Sequence, residues 1–207
     1  MDARPRNHPP MLEHADFIIR LADHRDCPAI VDFFRRNRDT HAPFTPKRPE
    51  SFYSDPFWEM RVETNRKLFD QQQSCNLFIF THDSSRVLGD INFSSLNSYP
   101  AHSANLGYAL DHTLWGKGTM HDALKLAIQF AFQHFNLHRI SANHIPDNAR
   151  SERLLAKLGF VREGYAKDYL LINGLWHDHV LNSLTRSNWE ARDHTRPLVV
   201  NGTGKPE

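Results

Sequence analysis

Residues 104–135 read ANLGYALDHTLWGKGTMHDALKLAIQFAFQHF. The stretch begins as a strand, Ala104 to Leu110, and passes through DHTLWGKGT into a strongly periodic helix. Met120, Leu124, Ala127, Ile128, Ala131 and Phe135 recur on one face of that helix, which must therefore pack on a sheet. At the junction, Trp115, Gly116, Lys117, Gly118, Thr119 and Met120 form a short glycine-rich turn that opens the helix. Such a turn offers free backbone N–H groups at the positive end of the helix dipole, a ready site for a pyrophosphate. The same two glycines would also serve a tight strand-to-helix connection that holds no ligand, and spacing alone does not separate these readings.

Upstream, Phe17 to Leu21 alternates as a first strand. Asp26 and Pro28 then start a helix to about Asn37 that carries Ile30, Phe33 and Phe34. The proline-rich THAPFTPKRP interrupts it, and Asp55-Pro56 restarts a helix predicted to turn Phe57, Met60, Thr64 and Leu68 to one side. Asn76 to Thr81 and Val87 to Phe93 flank HDSSR as an antiparallel hairpin. Downstream, His138 to Asn143 is a short strand, and Leu154, Leu155 and Leu158 mark a helix that Gly159 closes. Tyr165 to Ile172 and Leu175 to Leu184 flank Asn173-Gly174, the dipeptide that most favours a two-residue type I′ turn. The result is an α/β order of seven strands and about four helices.

Composition narrows the function. With 25 Lys+Arg against 24 Asp+Glu, the net charge of +1 gives no case for non-specific nucleic-acid binding. Cys27 and Cys75 make neither a disulfide framework nor a zinc cluster, which fits a reducing cytoplasm. No run is long and apolar enough to span a bilayer, and the N-terminus lacks the hydrophobic segment of a secretory signal. Residues 1–16 and 190–207 read as flexible tails around one domain at 17–189.

Four blocks carry a resemblance to a known family: LGYAL at Leu106 to Leu110, WGKGTM at Trp115 to Met120, NARSERLLAKLGF at Asn148 to Phe160, and EGYAKDYLLINGLWHDHVL at Glu163 to Leu181. Across nearly all of Phe17 to Trp189 the chain resembles the GNAT acetyltransferases. Within them it resembles the RimJ/RimL group of ribosomal-protein alanine N-acetyltransferases, on the RimJ side. Many GNAT members begin the loop with Gln or Arg and end it with Gly or Ala, where this chain has Trp115 and Met120. A loop that binds through backbone N–H groups tolerates such changes.

The resemblance implies a mixed seven-stranded sheet splayed between its fourth and fifth strands, with the pantetheine arm of acetyl-CoA in the gap. Leu110 and its neighbours would hold that arm, a backbone N–H near Leu110 would serve as oxyanion donor, and Trp115 to Met120 would take the pyrophosphate. Asn148 joins the cofactor site by the same analogy. It also implies an α-amine acceptor at a protein N-terminus, with alanine of a ribosomal protein as the acceptor residue. No activated nucleophile with an adjacent base is visible in the sequence, so direct attack in a ternary complex is expected. The rival readings are a non-catalytic acyl-CoA sensor, a ribosome-assembly factor, and an acetyltransferase of small amines. The acceptor groove is expected from the loop at about Asn37 to Phe57 and the hairpin around Asn173.

An α-amine has a reference pKa near 8, so about a tenth is neutral at pH 7 and no strong base is demanded. Ser151 matches a hydroxyl that RimL-like enzymes place near the CoA sulfur; by its position alone it is equally a capping residue in a helix's first turn. Tyr165 and Tyr169 are alternative acids. Asp168, read as sharing a strand face with Ala166 and Leu170, is a candidate to hold or deprotonate the amine, or a solvated carboxylate. His177 and His179 share a face without a third ligand, and no metal is expected.

Overall fold

The strand-forming runs pair largely in chain order. The computed structural model describes residues 9–192. One mixed sheet contains β1 (Met11–Glu13), β2 (Ile18–Leu21), β3 (Cys75–Phe80), β4 (Val87–Asn97), β5 (Ser103–Leu110), β6 (Arg139–Ser141), β7 (Val161–Ile172) and β8 (Leu175–Thr185). Their spatial order is β1-β2-β3-β4-β5-β6-β8-β7. Among the described residues β5 and β6 form its parallel pair, joined by the helix that the 3.6-residue period predicts.

Among the described residues six α-helices accompany the sheet: α1 (Cys27–Arg36), α2 (Arg38–His41), α3 (Asp55–Asp70), α4 (Thr119–His134), α5 (Ala149–Leu158) and α6 (Arg186–Glu190). α1 and α3 cover one face, where Ile30, Phe33, Trp58 and Val62 pack on Phe78 and Phe80. α4 and α5 cover the other, burying Leu124, Ile128, Leu155 and Leu158 with Ile91, Phe93 and Leu106.

Several expectations are corrected here. Met11–Glu13, expected as tail, pairs antiparallel with β2 and buries Leu12; three residues are too few to show a period, so the count rises from seven strands to eight. The helix count rises from four to six because α2 and α6, of four and five residues, are shorter than a period can reveal. α3 is turned by one residue from the predicted face: Trp58, Val62, Asn65 and Phe69 are buried, whereas Met60 and Thr64 are exposed. The C-terminal tail beyond residue 192 lies outside the described residues.

Local signals read from the sequence hold. Asn173 and Gly174 both have positive φ, 49° and 85°, the signature of a type I′ turn. After α5, Gly159 N donates to Ala156 O and Phe160 N to Leu155 O, which closes the helix with a Schellman motif.

A buried ionic knot fixes α1 to the end of β5. Asp111, fully shielded from solvent, accepts from Arg36 Nε (2.7 Å), Arg86 (3.0 Å), Thr113 N (3.0 Å) and Thr113 Oγ1 (2.7 Å), while Arg36 also reaches Val87 O. Burial pushes its carboxyl up, but the hydrogen bonds from Arg36, Thr113 and Arg86 outweigh this and hold it well below the usual range. A depressed carboxyl stabilises the fold above its unfolded pKa of about 4, and that contribution is lost as pH falls further. Asp111→Asn, which removes the buried charge on which Arg36 and Arg86 converge, is therefore expected to cost about 3 kcal/mol at pH 7. Denaturant melts should show the deficit narrowing below about pH 4.

Candidate active site

β5 and β6 pair only through Ser103↔Arg139, Ala104↔Ile140 and Asn105↔Ser141, so Leu106 to Leu110 runs on while β6 has diverged. This is the splay expected between the fourth and fifth predicted strands. Hydrogen-bond phase decides what faces the gap. Asp111 N donates to Leu88 O at 2.8 Å, and the register continues through Gly89↔Leu110 and Asp90↔Ala109. Bonded pairs alternate in an antiparallel ladder, so Ala109 and Gly107 spend their backbone groups on β4. Tyr108 and Leu110 turn theirs toward the gap. The Leu110 carbonyl is already claimed, accepting from Trp115 Nε1 (3.1 Å) and His41 Nε2 (3.0 Å). Its N–H is the group left to meet a ligand oxygen.

Trp115, the unusual first residue of the loop, thus has a distinct role. It grips the Leu110 carbonyl while its ring carries the Arg150 guanidinium at 3.4 Å. His41 is half-buried, and burial lowers its pKa, consistent with a neutral ring whose Nε2–H donates to that carbonyl. Gly116 and Gly118 have φ of 77° and 87°, a left-handed conformation that other residues adopt only with strain. A Cβ at either would meet nothing within 4 Å, so the space over the loop is open. α4 begins directly after Gly118 without a side-chain cap, leaving its first N–H groups for an anion.

Across the gap, Ser151 Oγ and Tyr108 OH are 2.7 Å apart, joining the first turn of α5 to β5. Burial pushes the Tyr108 phenol up to about 12, with the Ser151 hydrogen bond acting the other way, so it stays protonated at neutral pH. Asn148 caps α5 by accepting from Ser151 N at 3.1 Å. Two protonated hydroxyls in contact form a unit that can deliver a proton to a leaving atom. Tyr108 is a candidate site residue that sequence reasoning misses. Its place among LGYAL is visible there, but its contact with a residue 43 positions away is not.

These groups line one cleft of about 1060 Å³, together with Asn148, Gly116, Gly118, Thr119 and Met120. The loop side of the expected acceptor groove is there too, as Asn37, His41, Phe44, Arg48, Phe52 and Phe57, whereas the Asn173 end of the hairpin is not. Lys117, expected among the phosphate-loop residues, is not part of the lining; its backbone N donates to Leu114 O at 3.4 Å.

Tyr165, Tyr169 and Asp168, the other expected site residues, do not line the cleft. Asp168 has φ of 45°, and the register with β8 shifts between Ala166 and Leu170, so strand alternation fails at this point. Tyr165 OH, Lys167 Nζ and Asp168 N instead gather on Asp178, at 2.7, 2.8 and 3.0 Å, on an exposed hairpin. His179 does reach the cleft, with its ring 5.2 Å from that of Tyr169.

A gap lined with free strand N–H and C=O groups, ending on an anion-binding helix start, asks for a long amide-bearing ligand with a phosphorylated end. An acyl-CoA has this form, and the fold and site suit an acyl-CoA-dependent acyltransferase. Residues 16–161 match the family described as "Acetyltransferase (GNAT) domain". The [Ribosomal protein uS5]-alanine N-acetyltransferase of Escherichia coli (strain K12) is 39% identical over 172 residues, covering 83% of this chain and 89% of that protein. The probable N-acetyltransferase YjcK of Bacillus subtilis is 30% identical over 169 residues, 82% of this chain and 93% of that one. Among solved structures, the ribosomal-protein-S5-alanine acetyltransferase of Vibrio fischeri superposes with a TM-score of 0.83 at 36% identity, covering 86% of this chain and 98% of the other. The chain belongs to the GNAT acetyltransferase family, whose members take their acetyl group from acetyl-CoA. No described helix is long and apolar enough to cross a membrane.

Proposed function

We propose that this protein acetylates the α-amine of a ribosomal protein that begins with alanine, in the cytoplasm where such proteins are made. The observation that carries this reading is the 39% identity sustained over 89% of the E. coli uS5 alanine acetyltransferase. The cleft supports it chemically. It is lined by Tyr108 and Ser151 from the α4/α5 side of the sheet and by Asp90, Asn92 and Ala109 from the α1/α3 side. Donor and acceptor can thus enter from opposite faces and meet at Leu110, so that holding two reactants in register supplies much of the rate.

The thioester supplies the electrophilic carbonyl. The neutral α-amine attacks it to form the C–N bond, the Leu110 N–H stabilises the developing oxyanion, and as the C–S bond breaks the Ser151–Tyr108 pair gives the departing sulfur its proton; the nitrogen loses its surplus proton to solvent, from which the pair is reprotonated. The loop at Gly116 to Met120 and the start of α4 hold the pyrophosphate, and the backbone of Tyr108 holds the pantetheine amides. Attack is direct. Cys75 is wholly buried, with burial holding its thiol far above the ordinary range, and Cys27 is raised first by burial; neither lines the cleft.

The test is incubation with acetyl-CoA and a panel of N-terminal peptides and small amines, read by mass spectrometry. The expected result is one acetyl group on the α-amine of alanine-initiated ribosomal peptides. Turnover of small amines alone, or acetyl-CoA binding without turnover, would overturn this reading.

A further inference from the structure

Below the gap, on the face covered by α1 and α3, the cleft wall holds two buried oxygens with no hydrogen-bond partner, Asp90 Oδ1 and Asn76 Oδ1. They belong together. In the register Phe78↔Asp90 and Asn76↔Asn92, Asp90 on β4 is the diagonal neighbour of Asn76 on β3, so their side chains leave the same sheet face. Asp90 is also directly opposite Ala109, the residue before Leu110, and so borders the place where the acetyl carbonyl would lie.

Buried acceptors without donors are rare in folded proteins and costly, and two on the same face of adjacent strands point to a donor supplied from outside the protein. The carboxylate is held up to about 7, chiefly by burial, while the charge of Arg48 lowers it. Arg48 does not neutralise it by contact; its guanidinium lies over the Phe52 ring at 4.7 Å. A ligand that relieves this wall must bring several N–H donors and positive charge in a small volume. An ammonium group does both, whereas a hydroxyl or a carboxylate does not.

We propose that Asp90 and Asn76 form an ammonium subsite that receives the acceptor's amine before it gives up a proton to solvent and attacks. The inference rests on the proposed α-amine acceptor and adds the atoms that would select it. Asp90 touches the substrate in this reading, and Asn76 supplies a second acceptor that fixes the direction of the amine toward Leu110.

The experiment is calorimetry on the CoA-saturated protein with two matched pairs: an alanine-initiated peptide with its des-amino analogue, and alaninamide with propionamide. The wild type is expected to bind the amino member of a pair at least about tenfold more tightly, as a charge-assisted hydrogen bond provides, and Asp90→Asn to erase that preference. Asn76→Ala should reduce it by less. Asp90→Asn is isosteric and removes a half-buried carboxylate whose Oδ1 is shielded without a partner, so its thermal melt should be no lower than that of the wild type. In turnover the same substitution should raise the KM of the acceptor and leave acetyl-CoA affinity unchanged. Equal preference in wild type and Asp90→Asn, or no preference in the wild type for either pair, overturns the subsite. A wild type that prefers alaninamide but acetylates no peptide would refute the ribosomal-protein reading while leaving the subsite standing.

Discussion

Gly118→Glu should abolish acetyl-CoA binding while leaving a folded protein. The residue precedes α4 with φ of 87°, and a Cβ there would meet nothing within 4 Å, so the added side chain has room. The costs are of two kinds. The left-handed backbone imposes about 1–2 kcal/mol of strain on any non-glycine residue. A carboxylate placed about 4 Å from a pyrophosphate adds roughly 4 kcal/mol of repulsion at an effective dielectric near 20, or about a thousandfold in affinity. Gly118→Ala carries the strain without the charge and separates the two. Calorimetry should find a modest loss for alanine and no measurable binding for glutamate, with both variants melting as cooperative proteins. A folded Gly118→Glu variant with wild-type affinity would move the phosphate site away from this loop.

The second large effect concerns the hydroxyl pair. Ser151→Ala is expected to lower kcat about a hundredfold, within the range of a general acid, with little change in acetyl-CoA affinity. The structure separates this role from helix capping. The cap of α5 is made by the Asn148 side chain to the backbone N–H of Ser151, which alanine retains, while the serine hydroxyl is turned to Tyr108. The melting point should therefore stay near that of the wild type. Tyr108→Phe keeps the ring and removes the other half of the relay, so it should reproduce the defect. If the two hydroxyls act as one unit, the double variant will be scarcely slower than the worse single one. Steady-state kinetics on the three proteins is the measurement, and wild-type kcat in Ser151→Ala would assign the proton to solvent.

Both effects depend on the run from Leu106 to Met120, which is also the most legible part of the chain. The phosphate loop is readable because its signals are local: two glycines, a helix period beginning at Met120, and a strand just before. Trp115 reads in the sequence as a departure from the family pattern. Only the folded chain shows it bonding the Leu110 carbonyl and seating Arg150.

The amino-acid sequence by itself determined the order of the long elements, the burial of the α4 stripe, the Gly159 cap and the Asn173-Gly174 turn. Each of these follows from steric and hydrogen-bond preferences within a few residues. Tertiary structure decided the rest. Whether α3 buries Trp58 or Met60 depends on the angle at which the helix meets β3, and whether Asp168 faces a cleft depends on a bulge set by pairing with β8. Tyr108 meets Ser151, and Asp90 shares a sheet face with Asn76, because strand register and a helix crossover bring distant residues together. Propensity and period are properties of a short window, whereas partners and burial are properties of the packed whole. The chemistry of this site is made almost entirely of the second kind.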